Sequence, residues 1–495
     1  MAIKNTRNII GREKEKQKLS QFLNSGKAEF MVVYGRRRIG KTYLIRQYFE
    51  NSKNLFFNAT GMKEGKLEDQ TKHFSEQIGR SFFNGMTPKA GTSWEEVFKL
   101  LTDVIEQTKK IYKTKKIVLF LDEFPWMASK NSKLLETLDY YWNQHWSNDD
   151  RIKLIICGSS ASWIIDKIIY NKGGLHNRVT YTLQLEPFTL GETRKFLSHL
   201  GFKINHRQVT QVYMITGGVP HYLAQLNSNA SIDQNIDEIA FSKNSFLFSE
   251  FDKLFSSLFD DVEAYLNILK ILAAQPLGMG QAALFETLKI PKGQGTLSKL
   301  KSLEICGFIM SFTPYGHKEK GTYYKIIDEY TLFYFAWLAP LGNILSSKGL
   351  GQHYWEKRKL TPEWRAWSGY AFESLCHKHS MHIAQALGIS ASSVPGTWRY
   401  IPKKNSTDQG AQIDLLFDRD DDAITLCEIK YTESPFSIDK AYAKNLTQKM
   451  EVFRERTKTT KQLFLALISA AGLKKSIYSE ELVNHLVTLD HLFID

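Results

Sequence analysis

Short apolar runs rich in β-branched and aromatic residues alternate with helical patterns along the first 190 residues. Four such runs predict strands, at residues 30–34, 116–121, 153–158 and 180–185. The run at 30–34 leads through a glycine-bounded loop into the helical pattern at 43–49. Because strands that alternate with helices pack as a parallel sheet, this part of the chain is predicted to be a doubly wound α/β domain.

The pattern changes in the middle of the chain. Apolar residues recur at helical spacing from Val262 to Ala274, and two shorter helices are predicted at 280–288 and 293–303. Two strand-like runs at 307–313 and 322–327 flank a polar turn and predict a β-hairpin. Three helices followed by a hairpin are typical of a winged helix-turn-helix, which we assign to residues 258–335. The Gly-, Ser- and Pro-containing stretch at 336–363 is predicted to be a linker.

The last part of the chain, residues 364–495, has its own sequence of elements. A helix at 364–379 precedes three strands, and a helix and a strand follow them. The predicted strands and the second helix lie at 397–401, 412–417, 423–430, 440–456 (the helix) and 462–468. The short acidic turn at 419–422 makes the second and third strands a hairpin.

Composition places the chain among globular proteins with an anionic partner. Its 495 residues are 43% hydrophobic and 24% charged, which is enough for about three ordinary domains. The net charge of +13 favours nucleic acid as a partner, although lysine used only for solubility is the alternative.

The cysteines and the apolar runs exclude several protein classes. Four widely spaced cysteines, without a C-x-x-C pair, indicate neither a zinc site nor a disulfide framework. Cys157 and Cys427 lie in strand-like runs, so we expect them to be buried thiols. The polar start of the chain lacks the apolar core of a signal peptide, and no run reaches the length of a membrane span. We therefore expect a cytoplasmic protein without a membrane partner.

The loop after the first strand has the sequence of a phosphate-binding loop. Residues 35–42 read G-R-R-R-I-G-K-T, the G-x-x-x-x-G-K-T pattern, between a strand and a helix. Backbone N–H groups of such a loop surround phosphates, Lys41 can reach the β- and γ-phosphates, and the Thr42 hydroxyl can ligate Mg²⁺. The predicted cofactors are therefore ATP and Mg²⁺. The candidate nucleotide-binding residues are Gly35, Arg36, Arg37, Arg38, Ile39, Gly40, Lys41, Thr42 and Tyr43.

Polar residues follow the next two strands at the edge where parallel sheets bind ligands. Asp122 is predicted to hold Mg²⁺, and Glu123 to orient and deprotonate the attacking water. We expect the strand at 153–158 to lie between the first two strands. Ser159 or Ser160 at its end could then sense the γ-phosphate or position the water, or could cap the next helix instead.

Residues 10–226 resemble the archaeal-type AAA+/STAND P-loop ATPases. Besides the Arg-rich loop, the matching segments are I-G-R-E at 10–13, D-E-F-P at 122–125, G-S-S at 158–160 and T-G-G-V-P-H at 216–221. The resemblance implies that Gly11 and Arg12 bind near the adenine. It also implies that the segment containing Pro220 begins a helical lid, which divides this region into an ATPase core at 1–200 and a lid at 201–257.

The same resemblance singles out one arginine. Arg178 occupies the position of the family's arginine, which could act as an arginine finger in cis or in trans. The family's usual Gly-Arg pair reads Asn177-Arg178 here. A surface arginine without this role is the alternative.

The hairpin at 412–430 brings two carboxylates and a lysine together. If Asp418 pairs with Ala423, Asp414 lies opposite Cys427; with a loop one residue tighter, Asp414 lies opposite Glu428. In either register Asp414 and Glu428 are cross-strand neighbours, and Lys430 shares a face with Glu428. Such a group can bind Mg²⁺ through its oxygens and activate water for attack on a phosphodiester.

With Glu373 on the preceding helix, this pattern resembles the PD-(D/E)xK nuclease superfamily, and the order of elements is α-β-β-β-α-β as in that fold. The resemblance implies an α/β restriction-endonuclease-like domain at 364–495. It implies Glu373, Asp414 and Glu428 as metal ligands, and Asp414, Glu428 and Lys430 as catalytic residues. A structural ion pair on an inactive nuclease fold is the alternative.

Together these features predict an ATP-controlled switch that acts on DNA. The DNA contacts expected on the winged helix are Lys299, Lys301, His317, Lys318 and Lys320. The winged helix could instead be an internal relay that never meets DNA. A protein partner in place of DNA is a further alternative, and the sequence does not set the oligomeric state.

Overall fold

The computed structural model describes residues 9–50, 52–86, 88–111, 115–129, 131–170, 175, 177–289, 294–316, 321–390, 392–402 and 408–494. The chain folds into two compact units, residues 1–187 and 188–495. The second unit contains everything that we assigned to the lid, the winged helix, the linker and the nuclease-like domain. The division thus falls slightly earlier than the predicted end of the ATPase core at residue 200.

The first unit is built on a five-stranded parallel sheet. Its strands β1 to β5 are Glu29–Tyr34, Leu55–Thr60, Ile117–Asp122, Ile152–Gly158 and Tyr181–Gln184. They lie in the order β2-β3-β4-β1-β5, with every pairing parallel. The predicted α/β class with a parallel sheet is confirmed, as is the position of β4 between β1 and β3. Strand β2 was not predicted.

Helices cover both faces of this sheet. Alternate residues of β1 enter two different cores: Phe30 and Val32 pack on one face, and Met31 and Val33 on the other. This explains the continuous apolar runs, since a strand buried on both faces has no polar side. The helices α1 to α7 are Glu13–Asn24, Lys41–Phe49, Leu67–Phe82, Trp94–Ile111, Phe124–Met127, Leu134–Gln144 and Ala161–Ile164, with a 3-10 turn at Trp146–Asn148 and a π turn at Ile165–Ile169.

The second unit begins with helices and continues into a small sheet. Helices α8 to α12 are Leu190–His199, His206–Thr216, Pro220–Leu223, Ile232–Ile236 and Phe246–Leu258, with a π turn at Asp237–Phe241. Helices α13 to α15 are Val262–Ala273, Gln281–Leu288 and Gln294–Ile305. Strands β6 to β8 are Met279–Gly280, Ile309–Phe312 and Tyr323–Ile326, in the antiparallel order β6-β8-β7. The three helices and the β7–β8 hairpin lie where the sequence predicts them.

The segment at 336–363 differs from the predicted linker because it is folded and largely helical. It contains the 3-10 turn Ala339–Leu341, α17 (Gly342–Ser347) and α18 (Tyr354–Arg358), after α16 (Glu329–Phe333) and the π turn Tyr334–Leu338. Trp355 is buried and stacks against Phe241. Trp337 and Leu345 are also buried. Of the residues that suggested a linker, Ser346 and Ser347 end α17, whereas Gly349 and Gly351 lie between α17 and α18.

A mixed five-stranded sheet forms the last part of the second unit. Its strands β9 to β13 are Val394–Tyr400, Ala411–Asp418, Ala423–Lys430, Gln462–Ser469 and His485–Thr488, in the order β13-β12-β11-β10-β9. Strands β9 to β11 pair antiparallel, and β11 to β13 pair parallel. The helices α19 to α23 are Pro362–Lys378, Ser380–Ala386, Lys440–Thr457, Ile477–Leu482 and Leu489–Leu492. The predicted α-β-β-β-α-β elements are all present, and β13 is an addition.

Two further expectations concern cysteines and membranes. None of the four cysteines forms a disulfide, and all four are buried, including Cys157 and Cys427 as expected. Within the described ranges, no helix combines the length and the apolar character that crossing a bilayer requires.

Candidate active sites

The phosphate-binding loop joins β1 to α2 with a backbone that only glycine accommodates at its ends. Gly35 has φ 144°, and a Cβ there would lie 2.3 Å from the carbonyl oxygen of Leu185. Gly40 has φ 90°, and a Cβ there would meet no heavy atom within 4 Å. The first glycine is therefore required by close packing, whereas the second is required by its left-handed conformation and borders open space.

Lys41 lies buried at the start of α2, with its ammonium turned back over the loop. Its Nζ donates to the carbonyl oxygens of Gly35 and Arg36, both at 2.8 Å. It also donates to Ser159 Oγ at 3.3 Å. The ammonium is thus fixed at the mouth of the loop, where an anionic ligand could exchange for these acceptors.

The acids at the end of β3 bond to hydroxyl groups. Thr42 Oγ1 donates to Asp122 Oδ2 at 2.9 Å. Glu123 accepts two hydrogen bonds from Ser159, at 2.7 Å from the hydroxyl and 3.1 Å from the backbone N–H. Burial, with a further contribution from Glu123, raises the pKa of Asp122. Ser159 therefore links the Lys41 ammonium to the Glu123 carboxylate, and the structure brings all of these predicted residues together.

The I-G-R-E segment lies against the same loop. Arg12 is buried, and its Nη2 donates to the carbonyl oxygen of Ile39 at 3.1 Å. Its Nη1 pairs with Glu15 at 3.3 Å. Arg12 thus tethers the segment that contains Gly11 to the phosphate-binding loop, which is compatible with the predicted place near the nucleotide.

The other predicted residues of this site differ in exposure. Arg36 is buried, Arg37 and Arg38 are half-buried, and Tyr43 is exposed. Arg178 is exposed just before β5. This position is compatible both with an arginine finger and with a surface arginine that has no such role. These positions leave their roles as predictions.

Pro220 belongs to the second unit, where it begins α10 as the first helical residue. The glycines before it form a tight corner. Gly218 has φ 69°, and a Cβ there would lie 2.3 Å from the carbonyl oxygen of Phe188. The second glycine of the G-G-V-P segment is therefore required by the packing of the segment itself.

The loop and acids fit a nucleotide with Mg²⁺. Open space at Gly40 leaves room for phosphate groups, and the buried ammonium of Lys41 supplies a positive charge. The side chains of Thr42 and Asp122, which lie next to each other, supply oxygen ligands. Thr42 and Asp122 are the residues that would hold the cation. The arrangement can bind a triphosphate and direct water with Glu123.

The second site lies on the mixed sheet, where β10 and β11 adopt the tighter of the two registers. Leu415 pairs with Cys427 and Leu416 with Leu426, so Asp414 falls opposite Glu428. Asp414 Oδ2 accepts a hydrogen bond from the backbone N–H of Ile429 at 3.0 Å. Burial, together with the nearby Glu428 and Glu373, raises the pKa of Asp414 to about 7.

The Glu428 carboxylate is surrounded by cations and a phenol. Lys430 Nζ lies 2.8 Å from Oε1, and Lys449 Nζ lies 2.7 Å from Oε2. The hydroxyl of Tyr442 also donates to Oε1. Lys449 and Tyr442 were not predicted from the sequence. Their spacing of seven residues places both on one face of α21, so helical periodicity could have found them.

Glu373 also has basic neighbours. Lys325 Nζ, from strand β8, lies 3.5 Å from Glu373 Oε1, and His377 Nε2 lies 3.7 Å from the same oxygen. Burial lowers the pKa of Lys325, and Glu373 partly offsets this effect. Lys325 was not predicted, and no local pattern signals a lysine that comes from a different module.

The predicted metal ligands do not fit a bound Mg²⁺ as they stand. Among the residues that the structure describes, no three or more His, Cys, Asp or Glu side chains converge as they would around a metal ion. Each of Glu373, Asp414 and Glu428 is engaged by nitrogen donors instead. The pairing of β10 with β11 places Asp414 next to Glu428, as predicted. The positive charge beside Glu373 and Glu428, which the resemblance assigned to a metal ion, belongs to lysines.

The predicted DNA contacts are only partly described. Lys299 pairs with Asp261 at 3.0 Å, and Lys301 is exposed on α15. His317, Lys318 and Lys320 lie outside the described residues.

Comparison with known proteins identifies the first site. Residues 9–226 match the family model of an ATPase domain found predominantly in Archaea. This part of the chain is thus similar to archaeal-type ATPase domains. The enzyme class predicted from the sequence, an ATPase, is confirmed.

Relatives of known sequence add little about activity. An uncharacterized protein of Methanocaldococcus jannaschii is 25% identical over 429 residues, which cover 86% of this chain and 88% of the relative. An uncharacterized ATP-binding protein of the same organism is 43% identical over 45 residues, or 9% of this chain and 76% of the relative.

Solved structures resemble the chain at low identity. A Walker-type ATPase of Pyrococcus abyssi is 17% identical, covers 66% of this chain and 96% of its own, and superposes with a TM-score of 0.48. The ORC2 protein of Aeropyrum pernix is 14% identical, covers 69% of this chain and 96% of its own, and has a TM-score of 0.40.

Proposed function

We propose that this chain is an ATP-binding and ATP-hydrolysing switch that controls a DNA-binding, nuclease-like region. The observation that supports it most is the hydrogen-bonded series from Lys41 through Ser159 to Glu123. This series joins the phosphate-binding loop to the residue that would activate water, so a change at the phosphates reaches the acid directly.

The residues of the ATPase domain have separate tasks in this proposal. The backbone N–H groups of 35–42 and Lys41 bind the phosphates, and Thr42 and Asp122 hold Mg²⁺, which neutralises phosphate charge. Glu123 accepts the proton of the attacking water. Because Lys41 already donates three hydrogen bonds, phosphate oxygens must replace some of its acceptors, Ser159 among them. Ser159 would then report the presence of the γ-phosphate to Glu123.

DNA is the proposed partner because of charge and the order of the downstream elements. The net charge of +13, the exposed Lys301 and the three helices with a hairpin at 258–335 favour a polyanion. Binding that weakens steeply as salt rises would support DNA, because phosphate contacts release counterions. If the protein does not bind DNA even at low salt, a protein partner is favoured instead.

The ATPase assignment is tested by the Lys41→Ala variant. We expect it to lose binding of a fluorescent ATP analogue and to lose phosphate release. The matched control is Lys18→Ala, an exposed lysine of the same unit that bonds to the carbonyl oxygen of Thr182. Turnover by Lys41→Ala at the rate of the control would refute the role of the loop.

An inactive nuclease fold is a second candidate for the C-terminal region, and one observation favours it. Both oxygens of Glu428 are engaged by lysines, as in a structural ion-pair cluster. Plasmid DNA incubated with the protein and Mg²⁺ or Mn²⁺ separates the candidates. Cleavage that is lost in Asp414→Ala and Lys430→Ala supports a nuclease. DNA that is bound but stays intact supports the inactive fold.

A further inference from the structure

Lys325 enters the nuclease-like site from a different module. It lies on β8 of the small sheet, 48 residues before Glu373, with which it pairs at 3.5 Å. Its side chain is only 3% exposed. A lysine on the hairpin of a winged helix would be expected to face solvent or DNA phosphates, yet this one points into a cluster of acids.

Lysines lie beside the acids of the cluster. Lys325 pairs with Glu373, and Lys430 and Lys449 pair with Glu428. A buried ammonium is stable only when it is paired. A divalent cation that entered this group would meet these ammonium charges and would have to displace one of them.

Of the three lysines, Lys325 is the one that can leave without disturbing the mixed sheet. Lys430 belongs to β11 and Lys449 to α21, which form the core of that region. Lys325 is carried by β8, the central strand of the small sheet, so movement of the small sheet relative to the mixed sheet would withdraw it. The ammonium also lies over the ring of Phe312 on β7, 5.8 Å from its centre, and so has a partner within the hairpin itself.

A cavity of about 280 Å³ separates the hairpin from the mixed sheet at this point. Its lining includes Lys325, Glu373 and Asp414, together with Tyr323 from the hairpin and Arg399 from β9. Protein interiors are close-packed, and a purely structural ion pair needs no such space beside it. The cavity leaves room for the lysine to move and for water or a phosphate oxygen to approach the acids.

Tyr315, which follows β7, contacts both the mixed sheet and helix α21. The backbone N–H of Tyr315 donates to the carbonyl oxygen of Thr397 at 2.9 Å. The Tyr315 ring packs against Phe453, with 5.6 Å between centres. A contact of this size can be released without unfolding either sheet.

We infer that Lys325 is an internal cation that closes the nuclease-like acids to divalent metal, and that the small sheet carrying β8 must withdraw before a metal ion can bind. The inference rests on the proposed assignment of Glu373, Asp414 and Glu428 as metal ligands. It deepens that assignment by naming how the site is regulated.

The test is binding of Mn²⁺ alone to the full-length protein, measured by calorimetry without nucleotide or DNA. Mn²⁺ binding at the nuclease-like site is the part of the heat of binding that is lost in the Asp414→Asn variant. Binding that remains in this variant belongs to other sites, such as the ATPase site. We expect Lys325→Met to bind Mn²⁺ at least tenfold more tightly than the wild type at this site. Lys461→Met is the matched control, since it removes the ion pair with Asp418 on the same sheet and should change nothing.

A second variant leaves Lys325 in place and loosens the hairpin. Tyr315→Ala should also strengthen Mn²⁺ binding. If circular dichroism shows that Lys325→Met does not fold, the Tyr315→Ala variant serves as the test. Mn²⁺ affinity that stays at the wild-type value in the folded variants would overturn the inference. Loss of ATP turnover or of DNA binding bears only on the proposed function, because neither enters this measurement.

Discussion

The ATPase site and the nuclease-like site contain the same kinds of residue in opposite states. Each contains a lysine and two acids that are carried by sheet strands or by the residues next to them. In the ATPase site the acids bond to hydroxyl groups, Asp122 to Thr42 and Glu123 to Ser159. In the nuclease-like site Glu428 bonds to two ammonium groups. Hydroxyl partners leave the negative charge available to a cation, whereas ammonium partners neutralise it.

The difference shows what a motif can and cannot say. The residue types and their spacing located both sites, but the readiness of each depends on partners from distant elements. The following variants break or sharpen this contrast, in order of decreasing effect.

The largest effect is expected for Glu123, the acid that is proposed to accept the proton of the attacking water. Glu123→Gln should lower the rate of ATP hydrolysis by about 10²–10⁴-fold, because it removes the proton acceptor, while binding of ATP persists. Phosphate release and analogue binding measure the two quantities. Glu13→Gln, in an exposed pair with Lys16, is the control and should retain the wild-type rate. Hydrolysis by Glu123→Gln within a few-fold of wild type would remove Glu123 from the mechanism.

At the nuclease-like site the same substitution should act on stability. Glu428→Gln leaves Lys430 and Lys449 facing each other without their carboxylate, which we expect to cost about 2–3 kcal/mol, less than a fully buried pair because both lysines are partly exposed. Urea unfolding of the second unit provides the measurement. Unfolding at the wild-type urea concentration would show that the cluster is not a structural ion-pair network.

The second unit should also respond to acid through His379. This buried ring donates from Nδ1 to the carbonyl oxygen of Leu375 and accepts at Nε2 from the backbone N–H of Leu190. The neutral ring satisfies both contacts, and burial lowers its pKa to about 3.

Because the unfolded chain binds this proton near pH 6.5 and the folded chain does not, stability falls as the pH drops from about 6.5 towards 3. The loss is about 1.4 kcal/mol per pH unit at most. Comparing the pH dependence of unfolding in wild type and His379→Gln isolates this contribution. Equal slopes for the two proteins between pH 6 and 5 would exclude it.

The smallest effect completes the contrast. Asp122→Asn should leave the unfolding free energy of the first unit within about 0.5 kcal/mol of wild type or raise it, because acids kept for function seldom stabilise a fold. Burial already raises the pKa of this carboxyl, which means that its charged form opposes folding at neutral pH. Thermal unfolding gives the measurement, and a marked loss of stability would place Asp122 with Glu428 as a structural acid.

Much of the fold followed from periodicity because the central strands are buried on both faces. The missed strands lie at sheet edges, where burial is partial and the pattern is weak: β2 carries Asn58 and Thr60 among its apolar residues, and β13 has only four residues. The linker prediction failed because glycine and serine mark joints between short helices as readily as flexible chain.

For the sites, local spacing predicted the phosphate-binding loop, the acid pair and the facing of Asp414 and Glu428. Lys325 could not be predicted, since its partner lies on another module and no repeat or motif connects the two. Tertiary packing alone places the ammonium of Lys325 beside Glu373.

The buried thiols described above have a practical consequence. Since none of the native cysteines is accessible, a fluorophore or spin label attached to one new surface cysteine would report from that position alone. Probes on the hairpin and beside the phosphate-binding loop could therefore follow the two regions in the native sequence background, without first replacing any sulfur atom of the protein.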